Sequence, residues 1–325
     1  MSVRVVLAMF ALAAPLRAQT AARFIAVSNE ASRDVSILDA RTGRIIQTIP
    51  VGERPRGIHA SPDGKRLYVA LSDDMPNSES GRDAIAVIDV ASRKVVARLR
   101  AGTDPEQFAI APNGRILYAA NEDAGTAVAI DLRTNRTIAT HVVGIEPEGV
   151  AISPNGQWVY VTAETSNSVS VIDATRDSVV THLMVDSRPR AVAWAPDGSR
   201  AYVSNEISGT VSVIDGRSHQ LILSIRIDDA RAKPVGVAVS PRGHQLYVAD
   251  GRSHSVFVVD TRTLKTAGRI AVGRRPWNLV VSGDGRFLYT ANGLSNDVSV
   301  VDASTQRVVN TFKAGQRPWG VALLY

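Results

Sequence analysis

The chain contains no cysteine, and that absence removes several functions at once. No disulfide, lipid-anchoring thiol, C-x-x-C-H haem attachment, thiolate metal site or cysteine nucleophile is available. The 37 Lys and Arg residues never gather into a run of like charge, which argues against nucleic-acid binding. There is no Gly-x-Ser-x-Gly elbow, Walker loop or dinucleotide fingerprint. The six histidines, at 59, 141, 182, 219, 244 and 254, show no metal-ligand spacing. No metal, no cofactor and no catalytic residue is therefore expected on this chain.

Long apolar runs are also missing. Residues 5–15 follow Arg4 and are too short to span a bilayer, so the chain is not expected to cross one. With Leu16, Arg17 and Ala18 after them, residues 1–18 read as a secretory signal peptide and the protein as periplasmic or secreted. The formal charge is +6; Arg4 and Arg17 fall in that leader, which carries no acid, so residues 19–325 carry +4.

What the chain has is one sentence written seven times. An aspartate ends a β-branched run at Asp39, Asp89, Asp131, Asp173, Asp215, Asp260 and Asp302, with gaps of 50, 42, 42, 42, 45 and 42 residues. A proline recurs with it at Pro55, Pro105, Pro147, Pro189, Pro234, Pro276 and Pro318. A period in the low forties with several short strands per copy indicates propeller blades. In one copy, strands are expected over 147–153, 158–163, 168–173 and 178–184, separated by Pro154-Asn155-Gly156 and the turn at 174–177. Equivalent turns are Ser61-Pro62-Asp63-Gly64, Ala111-Pro112-Asn113-Gly114, Ala195-Pro196-Asp197-Gly198 and Ser240-Pro241-Arg242-Gly243. Each seven-fold aspartate should bond the backbone of its own turn, a fold role rather than a catalytic one.

The ends complete the count. Residues 23–50 supply the last three strands of a blade, and residues 318–324 supply a first strand with nothing after it. The expected fold is thus all-β: one domain over 19–325, a seven-bladed β-propeller of four-stranded antiparallel blades closed by pairing 23–50 with 318–324.

Because strand direction alternates, the Gly-x-x-Pro loops and the second-to-third loops share one face, with the first strand innermost. There the copies stop agreeing. Before proline stand Arg54, Asp104, Glu146, Arg188, Lys233, Arg275 and Arg317; after it stand Arg56, Glu106, Glu148, Arg190, Val235, Trp277 and Trp319. The second-to-third loops add Glu30, Glu122, Glu164 and Glu206. Structurally equivalent positions with individual chemistry suit a ligand or protein partner, and the competing reading is a solvated rim of ion pairs. Glu106 with Glu148, or Glu146 with Asp104, would be the acid/base pair of an enzyme. His59 replaces a recurrent alanine and is expected to face the channel, while Trp158 and Trp194 are expected in the core.

The tetrads Tyr202-Val203-Ser204-Asn205 and Tyr289-Thr290-Ala291-Asn292, with Val-Ser-Val-Ile-Asp at 211–215, resemble the YVTN β-propeller repeat family. Asp104-Pro105-Glu106, Glu146-Pro147-Glu148-Gly149, residues 185–190 and residues 292–297 resemble its subgroup associated with pyrroloquinoline-quinone-dependent catabolism. That resemblance implies a periplasmic accessory role beside quinoprotein dehydrogenases, c-type cytochromes and exporters, and does not imply that this chain binds the quinone. The insert at 75–82 departs from the repeat and is a further candidate for partner contact. Three functions remain open: a non-enzymatic binding or assembly module, a lactonase-type hydrolase, and a propeller subunit of a redox complex.

Overall fold

The computed structural model describes residues 21–73 and 82–325. The leader expected at 1–18 and nearly all of the insert at 75–82 lie outside these residues. The 28 strands, β1 to β28 in chain order, form seven four-stranded antiparallel sheets. The innermost strands are β4 (Pro55–Ala60), β8 (Pro105–Ile110), β12 (Pro147–Ile152), β16 (Pro189–Trp194), β20 (Pro234–Val239), β24 (Pro276–Val281) and β28 (Pro318–Leu324). Each touches the next around the axis, and β28 touches β4. The ring is closed.

Six blades use consecutive strands. The seventh has the order β28, β1 (Phe24–Asn29), β2 (Asp34–Asp39), β3 (Ile45–Pro50), with Phe24 opposite Leu324 and Val27 opposite Val321. This is the latch expected from the sequence. Blades are numbered from it: blade one holds β28 and β1–β3, blade two opens with β4, and blade seven with β24.

The core is not single. Seven apolar clusters each lie between two adjacent blades, as where Tyr160, Val169 and Val171 of blade four meet Val192, Trp194, Ala201 and Val203 of blade five. The two middle strands of a blade are covered on both faces, which is why they read as continuous apolar runs. The outermost strand alternates, as in Ser178–Met184, because one of its faces meets solvent. Trp194 is buried and Trp158 packs half-buried against the same cluster, as expected.

The repeated aspartates serve their own turns. Asp39 Oδ1 accepts from the backbone N–H groups of Arg41 and Thr42, and Asp131, Asp173, Asp215, Asp260 and Asp302 do the same two and three residues on. The tetrads also resolve into parts. Tyr202 is buried at a blade interface, Ser204 Oγ donates to the Val235 carbonyl of the next blade, and Asn205 Nδ2 donates to Thr210 and Ser212. Thr162 ties down the Arg190 carbonyl and Ser28 that of Arg56 in the same way, at 2.9 and 2.5 Å.

Deleting residues 317–325 removes β28 and leaves β1 as an open edge beside β4. The truncated chain should melt well below the full one in a thermal scan. An unchanged melting temperature would contradict the closed ring.

Candidate functional site

The rim takes its shape from a break in the ladder. Proline pairs with the second strand, then pairing skips: Pro55, Pro105, Pro147, Pro189 and Pro234 are followed in register by the residue three positions on. The residue after proline therefore stands outside the regular pairing, at the head of the innermost strand. Its neighbour is often glycine, because the next blade comes very close. A Cβ on Gly149 would lie 2.1 Å from the Arg190 carbonyl oxygen, and one on Gly320 2.8 Å from that of Arg56.

The residue before proline is left-handed in six copies, with φ from 36° to 60° at Arg54, Asp104, Glu146, Arg188, Arg275 and Arg317. A non-glycine residue there costs roughly 1–2 kcal/mol. The cost recurs because the geometry offers its carbonyl to the second-to-third loop: Glu122, Glu164, Glu206, Gly293 and Glu30 donate their N–H groups to Asp104, Glu146, Arg188, Arg275 and Arg317. Those bonds bring the two sets of rim residues together.

Half the rim is an ion-pair network across blades. Arg56 contacts Glu106 of blade three and lies 3.5 Å from Glu30 of blade one and 3.9 Å from Glu122. Arg54 lies 3.7 Å from Asp104 and 3.9 Å from Glu30, and Arg317 3.6 Å from Glu30. In blades four and five, Arg190 reaches Glu148 at 2.7 Å, contacts Glu164, and lies 3.7 Å from Glu206. Arg188 reaches Glu164 at 2.6 Å and Glu206 at 3.4 Å. Glu146 instead accepts from the Thr165 hydroxyl.

The acid pair differs from both expected from sequence. Glu148 meets Glu164 of its own blade, not Glu106, and Glu146 does not pair with Asp104. Burial pushes the Glu148 carboxyl well above the usual carboxylic range against the pull of Arg190, and its hydrogen bond with Glu164 raises it further. Burial opposes the Glu164 charge too, but that hydrogen bond, Arg190 and Arg188 outweigh it and keep Glu164 low. Glu122 is pushed up to about 7, by burial first and by Asp104 second.

Asp104, Glu106 and Glu122 each bring one oxygen within 4.8 Å of the others, the only such group among the described residues. An all-oxygen donor set suits a hard cation. Here Arg56 already sits on Glu106 and Arg54 beside Asp104, so the countercharge is supplied by the protein.

The other half of the rim is aromatic. Trp277 and Trp319 stack with ring centroids 6.5 Å apart at 18°. Arg275 lies 4.3 Å above Trp277, and Arg190 reaches within 5.7 Å of the same ring. Val235, short and apolar in the intervening blade, leaves Arg190 that path. The cavity among Arg190, Val235, Trp277 and Trp319 is about 20 Å³, room for roughly one water. The mouth is closed by its own side chains. Below it, His59 is solvent-accessible yet enclosed by protein, as a channel-wall residue should be; burial lowers its pKa against the opposing bond to Gln107.

Larger hollows lie on the opposite face, about 630, 580 and 460 Å³, in grooves between blades four to seven. The sequence reading did not single them out. They are lined by the first-to-second-strand turns, Pro-x-Gly in five copies and Gly283-Asp284-Gly285 in blade seven, and by the post-aspartate turns, so their volume follows from the repeat.

Comparison with known proteins agrees with this architecture. The choice-of-anchor I domain model matches residues 16–184, just over half of the chain. The chain belongs to the choice-of-anchor I domain family. Residues 175–318 of this family member also match the model of the seven-bladed β-propeller lactonases. Among solved structures, a chain of Kuenenia stuttgartiensis hydrazine synthase is 23% identical with TM-score 0.78, over 86% of this chain and 92% of that one. A functionally unknown protein of Desulfotomaculum acetoxidans is 19% identical with TM-score 0.78, over 93% and 99%. A putative 6-phosphogluconolactonase of Bacteroides fragilis is 18% identical with TM-score 0.77, over 93% and 98%. At these identities the likeness is one of fold. No protein with a curated description matches. Among the described residues no helix is long and apolar enough to cross a membrane.

Two outcomes follow from the charges. Arg190→Met should destabilise the domain by about 3 kcal/mol in denaturant unfolding, the low end for orphaning a buried charge, because Arg188 still reaches Glu164. Glu122 binds its proton more tightly folded than unfolded, so its contribution is full below about pH 4.5 and is lost as pH rises through about 7. Glu122→Gln should therefore gain stability over the native chain between pH 5 and pH 8, read as a growing difference in melting temperature. A constant difference would place Glu122 in an unperturbed setting.

Proposed function

We propose that the protein is a non-enzymatic binding propeller whose proline-side rim docks a partner protein. The observation that carries this is the stacked pair of half-buried Trp277 and buried Trp319, with Arg275 on the Trp277 face, over a mouth with room for one water. Tryptophan and arginine are the side chains that dominate protein interfaces, and a closed mouth leaves no depth for burying a small molecule. The resemblance to the propellers of quinone-dependent catabolism supports a periplasmic place beside a quinoprotein alcohol dehydrogenase or c-type cytochrome, with the signal peptide at 1–18 as its route. This chain then supplies recognition and holds neither cofactor nor metal.

A hydrolase of the lactonase type is the second reading. The match over 175–318 and the adjoining carboxyls of Glu148 and Glu164, one pushed up and one held low, favour it. Against it, Arg188 and Arg190 engage both carboxylates, and little room remains for a substrate beside them.

Trp277→Ala with Trp319→Ala should abolish capture of the partner from the periplasm of alcohol-grown cells. Trp277 is half-exposed, but truncating buried Trp319 costs about 3–5 kcal/mol, so capture is compared at a temperature where the melting curve of the double variant shows it folded. Full capture by the double variant overturns the rim reading, and lactone turnover without any partner favours the second.

A further inference from the structure

We infer that blades six and seven form a landing site for an acidic segment of the partner. This rests on the rim-docking reading and adds the chemistry of what docks. The second-to-third loops of these two blades lack the glutamate that four other blades carry. Blades one, three, four and five open the second-to-third loop with Glu30, Glu122, Glu164 and Glu206, and each of these meets an arginine. Blades six and seven have Gly251 and Gly293 at that place. Glycine at 293 has a steric cause: a Cβ there would lie 2.8 Å from the Trp277 ring. Seating the indole thus removed the carboxylate that the other blades use for neutralisation.

Arg269 and Arg231 share Asp229, in the loop that leads into blade six, at 3.3 and 3.9 Å, but the cations flanking the two prolines keep no acid partner. Among the described residues no carboxylate lies within 4.0 Å of Lys233, Arg274 or Arg275. Lys233 Nζ donates to the Ile207 carbonyl at 3.2 Å, and the Arg275 guanidinium lies on the Trp277 face. By contrast, Arg56, Arg188, Arg190 and Arg317 all meet glutamates. The rim is therefore neutralised on one side and cationic on the other, with an aromatic surface inside the cationic arc. A carboxylate can take the free edge of the Arg275 fork while its aliphatic stem lies on the indole. The closed mouth keeps the occupant on the surface, which suits an extended peptide segment bearing several carboxylates better than a compact small anion.

The test uses the full chain and fluorescein-labelled hexaglutamate, with hexaglutamine as the neutral control, followed by anisotropy. Hexaglutamate should bind and hexaglutamine should not, with affinity falling as salt is raised. Lys233→Glu with Arg275→Glu should weaken binding by about tenfold or more. Arg242→Glu, an exposed change on the opposite face, should leave it unaltered. Where charge reversal lowers the melting temperature, Arg275→Gln replaces it and should still weaken binding severalfold. Equal binding of hexaglutamine, an equal loss with Arg242→Glu, or displacement by free phosphate at matched ionic strength overturns the inference. Partner capture that depends on the tryptophans but ignores Lys233→Glu with Arg275→Glu would sink the acidic landing site while leaving rim docking intact.

Discussion

The antiparallel pairing of Phe24–Asn29 with Pro318–Leu324 joins the two ends of the described chain, and every other feature of the molecule leans on it. Each apolar cluster lies between two blades, so no blade owns a core and none is stable without both neighbours. Without the pairing, β1 and β4 would each face solvent along a buried side, and an edge of free N–H and C=O groups would be exposed. With it, stability is shared around a ring. The serine and threonine hydroxyls that tie one blade's second strand to the next blade's rim carbonyl extend the same constraint to the mouth.

A ring so constrained leaves the rim residues free to differ. Their backbones are held by proline, by the skipped pairing and by the bond from the second-to-third loop, none of which depends on the side chain after proline. That is how the same backbone position carries Arg56, Glu106, Glu148, Arg190, Val235, Trp277 and Trp319. The left-handed residues before proline follow the same logic. Their strain recurs in charged and polar residues at six of seven copies, so it belongs to the loop geometry rather than to one catalytic residue.

Much of this was legible in the chain. The period, the proline and aspartate punctuation, and the incomplete blades at the two ends lead to the strands, their order and the latch. The two faces follow from alternation of strand direction, and the rim from the places where the copies disagree. What was not legible is who meets whom. Glu148 joins Glu164 rather than Glu106 because the ladder skips after Pro147, a shift that no residue type announces. Arg190 reaches Trp277 because Val235 is short, a relation across three blades. The tetrad was recognisable as a motif, yet only the packed blades show that its hydroxyl staples the next blade and its asparagine holds the following loop.

The central claim is that blade one, made from both ends of the chain, is as firmly built as any blade made from consecutive strands. Native-state hydrogen exchange under increasing denaturant tests this most directly, because it reads the free energy of opening strand by strand. The account predicts that amides of β1 and β28 open only with global unfolding, at the same free energy as those of Arg200–Asn205 and Thr210–Asp215 in blade five. Exchange of β1 and β28 through a separate, lower-energy opening while blade five stays protected would contradict it.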